Sequence, residues 1–253
     1  MDTDAHWEKW GELDPYYAVL TNDSYRSANL TDQSKKAFFD SGESHLREVL
    51  AKCRHYLDAE FEPASAVDFG CGTGRVLIPM GREVETAVGI DVSSAMLEEA
   101  RRNCQARGLG NVSLVKGDDH LSGLAGEFDF IHSFIVLQHI PKDRGMRILN
   151  RLLGHLKSGG IGAIQVTYSR LYDRNTRRFS RGMRARRFVR RLVARLRRAV
   201  RGAGSEREPP MLMTAYDLGE VFDLLCDHGI SRIYSEATNH QDTRGVFLYF
   251  QKA

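Results

Sequence analysis

Long apolar runs are missing from this chain. Nowhere do apolar residues continue for the roughly 20 positions that would carry a helix across a bilayer. The opening residues, among them Asp2, Asp4, His6 and Glu8, are too polar for a secretory signal. Both features predict a protein made and kept in the cytoplasm. Cysteine is scarce and scattered: Cys53, Cys71, Cys104 and Cys226 form no C-x-x-C pair and no zinc or iron–sulfur spacing. Neither a disulfide framework nor a bound metal is expected. There are only six prolines and no internal repeat, which excludes collagen-like and solenoid architectures. What is present, 42% hydrophobic and 27% charged residues in a chain of 253, is the balance of a globular core with room for an appendage.

The net charge of +3 hides an asymmetry. Residues 170–201 hold fourteen arginines against the single acid Asp173, a surplus of thirteen positive charges, so the rest of the chain stands at −10. An acidic body carries a basic strap.

Periodicity supplies the fold class. Leu46, Val49, Leu50, Cys53, Tyr56 and Leu57 recur at helical spacing over 43–57. After Pro63 the pattern alternates. Strand 65–69 leads to a helix from about Gly74, strand 86–90 to a helix over 93–107, and strand 112–116 to strand 128–134. A helix over 141–156 and strand 161–168 follow. Strands separated by helices imply right-handed crossovers and a parallel sheet covered on both faces, a doubly wound α/β domain. A helix over 214–228 and strands near 230–235 and 246–251 complete it, the last two close enough to pair as an antiparallel hairpin.

In such sheets ligands bind beyond the carboxyl ends of the strands, so the first strand–helix turn matters most. It reads Asp68-Phe69-Gly70-Cys71-Gly72-Thr73-Gly74-Arg75. Alternate glycines let a ligand approach bare backbone. Asp91, 19 residues after Gly72 and at the end of the second strand, is placed to accept two hydrogen bonds from a ribose diol. The third glycine arrives one residue early for a dinucleotide fingerprint, and Asp68 would repel a pyrophosphate at that helix terminus. No G-K-[ST] follows, which excludes a P-loop. A cationic nucleoside without phosphate, such as S-adenosylmethionine, suits acids at both Asp68 and Asp91.

These residues resemble the class I S-adenosylmethionine-dependent methyltransferases over most of residues 64–168. VDFGCGTGR is similar to that family's first motif, VGIDVSSAML to its second, VKGDD to its third and FDFIHSFIVLQHI to its fourth. The resemblance implies a Rossmann-like seven-stranded sheet of order 3-2-1-4-5-7-6. It sets the methionine moiety against Gly70, Cys71, Gly72 and Gly74, with Asp68 near the amino group. It sets the ribose on Asp91, the adenine between Val92 or Met96 and the third-motif turn with its amino group near Asp118, and Ser133 beside the sulfonium. The product would be S-adenosylhomocysteine.

Methyl transfer to oxygen or nitrogen needs orientation and, for a protonated acceptor, a base. His139, after the fourth strand, is the candidate base, with Gln138 to orient the acceptor; the alternative is a histidine that only fixes its loop. His120 is expected to border the adenine and His132 to be structural. The [DN]-P-P-[YFW] turn of base-amine methylation is replaced by Ser133-Phe134-Ile135, and no Pro-Cys nucleophile follows, leaving oxygen or aliphatic nitrogen as the target.

Three parts are expected: an N-terminal helical lid (1–62), the cofactor-binding domain (63–168 and 211–253) and an Arg-rich amphipathic insertion (169–210). The leader holds His6, Trp7, Trp10, Tyr16, Tyr17 and Tyr25, and WEKWGELDPYYAVL is similar to leaders of bacterial glycan and natural-product methyltransferases. Tyr16 and Tyr17 are the expected acceptor contacts, their hydroxyl-tipped rings suiting a sugar or polyol, against the alternative of plain packing anchors. Within 184–201, Phe188, Val189, Leu192, Val193, Leu196 and Val200 form one apolar stripe amid arginines, the pattern of a helix lying on an anionic membrane surface or docking on its own domain. The expected function is therefore methyl transfer to a small molecule or glycan, free or lipid-linked, with peripheral membrane attachment. An RNA methyltransferase using the arginines as a phosphate clamp and a non-catalytic cofactor-binding scaffold remain the alternatives; the acidic body disfavours a broad nucleic-acid face.

Overall fold

The computed structural model describes residues 3–170, 208–240 and 243–253. The chain opens with α1 (Thr3–Leu13), α2 (Pro15–Val19) and α3 (Asp32–Tyr56). It then alternates through β1 (Ser65–Phe69), α4 (Leu77–Glu83), β2 (Thr86–Asp91), α5 (Ser94–Gln105), β3 (Val112–Lys116), β4 (Phe128–Ser133), α6 (Lys142–Gly154) and β5 (Leu156–Arg170). It closes with α7 (Leu218–Asp227), β6 (Ile230–His240) and β7 (Thr243–Lys252). The strands form one sheet in the expected order, β3-β2-β1-β4-β5-β7-β6. β1 to β5 pair in parallel, while β7 runs antiparallel between β5 and β6.

A sheet covered on both faces must be apolar on both. One face sets Val67, Phe69, Ile131 and Ile164 against Ile148, Leu149 and Leu152 of α6 and Val221 and Leu225 of α7. The other sets Ala66, Phe130, Ala163 and Phe247 against Leu46, Val49, Leu50 and Cys53 of α3, Leu77 and Met80 of α4, and Leu97 of α5. α3 is thus a layer of the core, and within the N-terminal segment it is the stretch from α1 to Tyr25 that reaches the functional cavity.

Several boundaries differ from the sequence reading. α3 begins at Asp32 rather than Glu43, because Thr31 and Ser34 exchange side-chain-to-backbone hydrogen bonds as a capping box. Serine in the place usually held by Glu or Gln makes that start faint in the sequence. α4 begins at Leu77, since Gly70, Gly72 and Gly74 hold φ of +76°, +52° and +89° and keep the loop out of helical geometry. α7 begins at Leu218, capped by Asp217. The preceding segment instead crosses the sheet ends, with Thr214 N donating to Gln138 O (2.6 Å) and Tyr216 N to Thr167 O (2.8 Å). The amphipathic stretch 184–201 and nearly all of the 169–210 insertion lie outside the described residues. Among the described residues no helix is long and apolar enough to cross a membrane.

Candidate active site

A cavity of about 790 Å³ opens beyond the carboxyl ends of β1, β2 and β4, within the roughly 300–1,000 Å³ range of small-molecule sites. The glycine loop forms its floor. Gly70 N and Cys71 N donate to Ile90 O (2.8 and 3.0 Å), clamping the loop to β2. Gly72 N donates to Asp91 Oδ2 and Ser93 N to Asp91 Oδ1, both at 2.9 Å, so this carboxylate ties the loop to the start of α5. A Cβ on Gly70 would lie 2.3 Å from Val136 Cγ2, and one on Gly72 would lie 2.6 Å from Val19 Cγ2. Val136 and Val19 therefore pack directly on this glycine backbone, where no other residue would fit without displacing them.

Burial raises the Asp91 carboxyl to about 6 and the charge of Asp68 adds to the rise, the hydrogen bonds from Ser93 and Gly72 only partly offsetting them. Two backbone donors fill about half of its roughly four lone-pair sites. The remainder is an acceptor facing a cavity, suited to a vicinal diol.

The expected cofactor residues divide into two groups. Gly70, Gly72, Asp91, Val92, Met96 and Asp118 line the cavity. Asp118 spends Oδ1 on His120 N (2.8 Å) and Ser122 N (3.1 Å), bracing the turn after β3, and the Ser122 bond foremost holds its carboxyl below the ordinary value. Asp68, Cys71, Gly74 and Ser133 are not part of the lining. Ser133 Oγ donates to Phe69 O (3.0 Å), and the buried Cys71 thiol is pushed well up by burial. These four act beneath the floor.

Asp68 belongs to a buried polar chain that the sequence reading missed. His132 Nδ1 lies 2.8 Å from Asp68 Oδ1, and His132 Nε2 lies 3.0 Å from His45 Nε2 on α3. Burial, with the charges of His132, Arg75 and Lys52, pushes His45 down to about 2, so it stays neutral. The available signal was register: Asp68 and His132 are direct partners in the parallel β1–β4 pair. The Asp68 Oδ1 is thus held by His132 directly beneath the glycine loop.

On another part of the wall, Gln138, expected to orient the acceptor, instead has its amide engaged by His139 and Thr167. His139 Nδ1–H donates to Leu212 O (2.7 Å), which leaves Nε2 with the lone pair, 3.2 Å from Gln138 Nε2. Thr167 Oγ1 donates to Gln138 Oε1 (2.8 Å), fixing the amide so that its N–H₂ faces the imidazole. Burial lowers the His139 pKa below its ordinary value, the Leu212 bond opposing, so the ring is neutral at pH 7. Trp7 stands edge-on to it, ring centroids 4.9 Å apart.

Tyr16 and Tyr17 are not where the acceptor reading placed them, since neither lines the cavity. Tyr16 is 3% exposed, wedged on Phe38 and Phe39, with its hydroxyl bonded to Glu99 and Asn103 on α5. Tyr17 packs on Trp10 beneath the Arg26 guanidinium, 3.4 Å from the ring centroid. They are anchors of the leader. Its actual contributions to the cavity wall include Trp7, Val19, Leu20 and Tyr25. Asp4 reaches the wall too, its carboxylate held in a fork by Arg144 of α6, which also bonds Asp119.

Comparison with known proteins agrees with this geometry. Residues 66–160 match the family model described as methyltransferase domain. The chain is 38% identical over 105 residues to the trans-aconitate 2-methyltransferase of Deinococcus radiodurans, covering 41% of this chain and 38% of that one. It is 28% identical over 190 residues to a ubiquinone biosynthesis O-methyltransferase of Thiobacillus denitrificans, covering 69% and 78%. Four curated relatives, the first of these among them, are matched over only 23–44% of their length. Among solved structures, magnesium protoporphyrin IX methyltransferase from Synechocystis PCC 6803 with bound SAH superposes over all of both chains, with a TM-score of 0.62 at 16% identity. Residues 66–160 of this chain thus match a methyltransferase domain, and the chain has the Rossmann-like fold of the solved methyltransferase on which it superposes.

Proposed function

We propose that the protein transfers the methyl group of S-adenosylmethionine to an oxygen, or a nitrogen, of a small-molecule acceptor. One observation carries the reading: a single cavity joins a glycine floor and an under-satisfied Asp91 carboxylate to a neutral His139 whose tautomer is fixed. The residues fit the cofactor, because Gly70 and Gly72 present backbone without side chains to the cavity and Asp91 offers acceptors for the ribose hydroxyls. When bound, the cofactor supplies a sulfonium methyl carbon open to in-line displacement. Val92 and Met96 offer apolar surface to the adenine, and Asp118 an acceptor at its edge.

His139 Nε2 is the proton acceptor in this reading. Leu212 O holds the other ring nitrogen protonated, the lowered pKa keeps Nε2 unprotonated near neutrality, and an acceptor hydroxyl must displace the Gln138 N–H that occupies its lone pair. Gln138, oriented by Thr167, aligns that imidazole. An oxygen acceptor is favoured by the absence of a base-amine turn in residues 133–135 and by the relatives whose names specify O-methyltransferases. The basic stripe over 184–201 supports a peripheral site of action on an anionic membrane. Deleting 184–201 then abolishes sedimentation with anionic vesicles and leaves cofactor affinity intact.

The test of function is incubation of pure protein with methyl-labelled S-adenosylmethionine and host extract split into small-molecule, lipid–glycan, RNA and protein fractions. Label in the small-molecule fraction is the expected result. Label in RNA would turn the arginines into a phosphate clamp and overturn the acceptor class.

A further inference from the structure

We infer that the acceptor is a neutral molecule with a largely apolar body, and that Ile135 is the residue that selects for it. This rests on the cofactor reading above, which fills the β2–β3 side of the cavity and leaves the other side to the acceptor. That other side is walled by Leu20, Tyr25, Phe134, Ile135, Met211 and Met213. The charged side chains of the lining are all elsewhere or already paired. Asp91 and Asp118 stand on the nucleoside side, and Asp4 and Arg144 are bonded to each other. The other polar side chains of the lining, Thr21, Asn22, Asn239 and Thr243 beside Gln138 and His139, are uncharged at neutral pH. Among the described residues, a carboxylate or phosphate on the acceptor would find no unpaired counter-charge in this lining, and a polyol would exchange its water contacts for a mostly apolar wall.

Ile135 adds an independent observation. Its φ is +61°, the left-handed region, which a β-branched residue enters only at a cost and which Gly or Asn adopts readily. Core packing does not account for it. Phe134 and Val136 on either side pack against the hydrophobic clusters, whereas Ile135 belongs to none of them among the described residues. The chain holds a branched apolar side chain in an unfavourable conformation at the cavity wall, directly after the strand that delivers Ser133 and beside His139. Backbone strain retained at a ligand wall, with no structural gain, marks a group selected for what it touches.

The test uses the intact protein saturated with S-adenosylhomocysteine and titrated calorimetrically with three probes: naphthol, naphthoate (the same ring bearing a charge) and methyl glucoside. Naphthol should bind at least about tenfold more tightly than either of the others. Ile135→Asn should weaken naphthol by about tenfold or more, the loss of one apolar side-chain contact. The same variant should keep the affinity for S-adenosylhomocysteine and melt no lower than wild type, because asparagine tolerates the left-handed backbone. Ile135→Gly should behave alike. Equal or tighter binding of naphthoate or glucoside, no naphthol binding, or an unchanged naphthol affinity in both variants overturns the inference. So does a joint fall of melting temperature and S-adenosylhomocysteine affinity, which would make Ile135 structural. Wild-type protein that does not bind S-adenosylhomocysteine refutes the cofactor reading itself, a failure distinct from a wrong acceptor class.

Discussion

Asp91 should make cofactor affinity depend on pH between about pH 5 and 7.5, with Asp91→Asn separating its part from that of the histidines. Its carboxyl is raised from 3.8 to about 6, chiefly by burial. A shift of that size corresponds to about 3 kcal/mol of unfavourable ionisation in the empty site. Two ribose hydroxyls donating to the carboxylate reward the ionised form, so binding drives the pKa back down. If it returns to its ordinary value, the protonated protein binds about a hundredfold more weakly than the ionised one. S-adenosylhomocysteine is the ligand of choice because it lacks the sulfonium. Its Kd should rise about tenfold between pH 7.5 and pH 5, since below a pKa near 6 each unit of pH removes a further factor of ten. Asp91→Asn should abolish the slope and weaken binding at pH 7.5 by about tenfold or more, the worth of hydrogen bonds to a charged acceptor. The empty protein shows the opposite trend. Between 3.8 and about 6 its folded form holds the extra proton, so the stability contributed by Asp91 falls as pH rises through that window and is gone above it. Titration calorimetry across pH reads the first effect and thermal melts of the apo protein read the second. A wild-type Kd that stays level from pH 7.5 to 5, or an equal slope in Asp91→Asn, would refute the reasoning.

Gly70→Ala places a Cβ 2.3 Å from Val136 Cγ2 at a φ of +76°; it should cost about 1–3 kcal/mol of stability and lower S-adenosylhomocysteine affinity, read by melting with and without ligand. Tyr16→Phe removes the hydroxyl bonds to Glu99 and Asn103. It should destabilise by about 1–3 kcal/mol while leaving KM for the acceptor unchanged, and a raised KM would restore Tyr16 to the site. His139→Gln should lower kcat by about a hundredfold or more with little change in cofactor Kd. In the wild type the acid limb of the kcat profile should lie below the ordinary histidine value, because burial lowers the His139 pKa.

The doubly wound sheet and its two-faced core were legible because they follow from local patterns, while the strand order came from the resemblance of the motifs to the class I methyltransferases. Apolar runs such as SAVDF and TAVGI bounded by helical periodicity admit few arrangements once crossovers are right-handed. The terminal hairpin followed from the short gap between its strands. Asp91 and the glycine loop were legible for a similar reason, since a ligand floor next to a strand end is built from residues close in sequence. The start of α3 at Asp32 was not, because Thr31–Ser34 is an uncommon form of capping box.

The sequence by itself determined the alternation of strands and helices, the glycine loop and the acid that ends the second strand, all set by short-range spacing and by the physics of backbone approach. Tertiary structure alone decided which aromatics face the cavity and which anchor the leader. Trp7 and Tyr16 sit in the same aromatic stretch, yet Trp7 meets His139 while Tyr16 is drawn under α5 by Glu99 and Asn103. It also decided that Asp68 bonds His132, which in turn meets His45, that Leu212 fixes the His139 tautomer, and that Ile135 stands in a left-handed conformation at the wall. Each of these depends on contacts between segments far apart in the chain, and no local pattern encodes the direction in which a side chain points once the layers close.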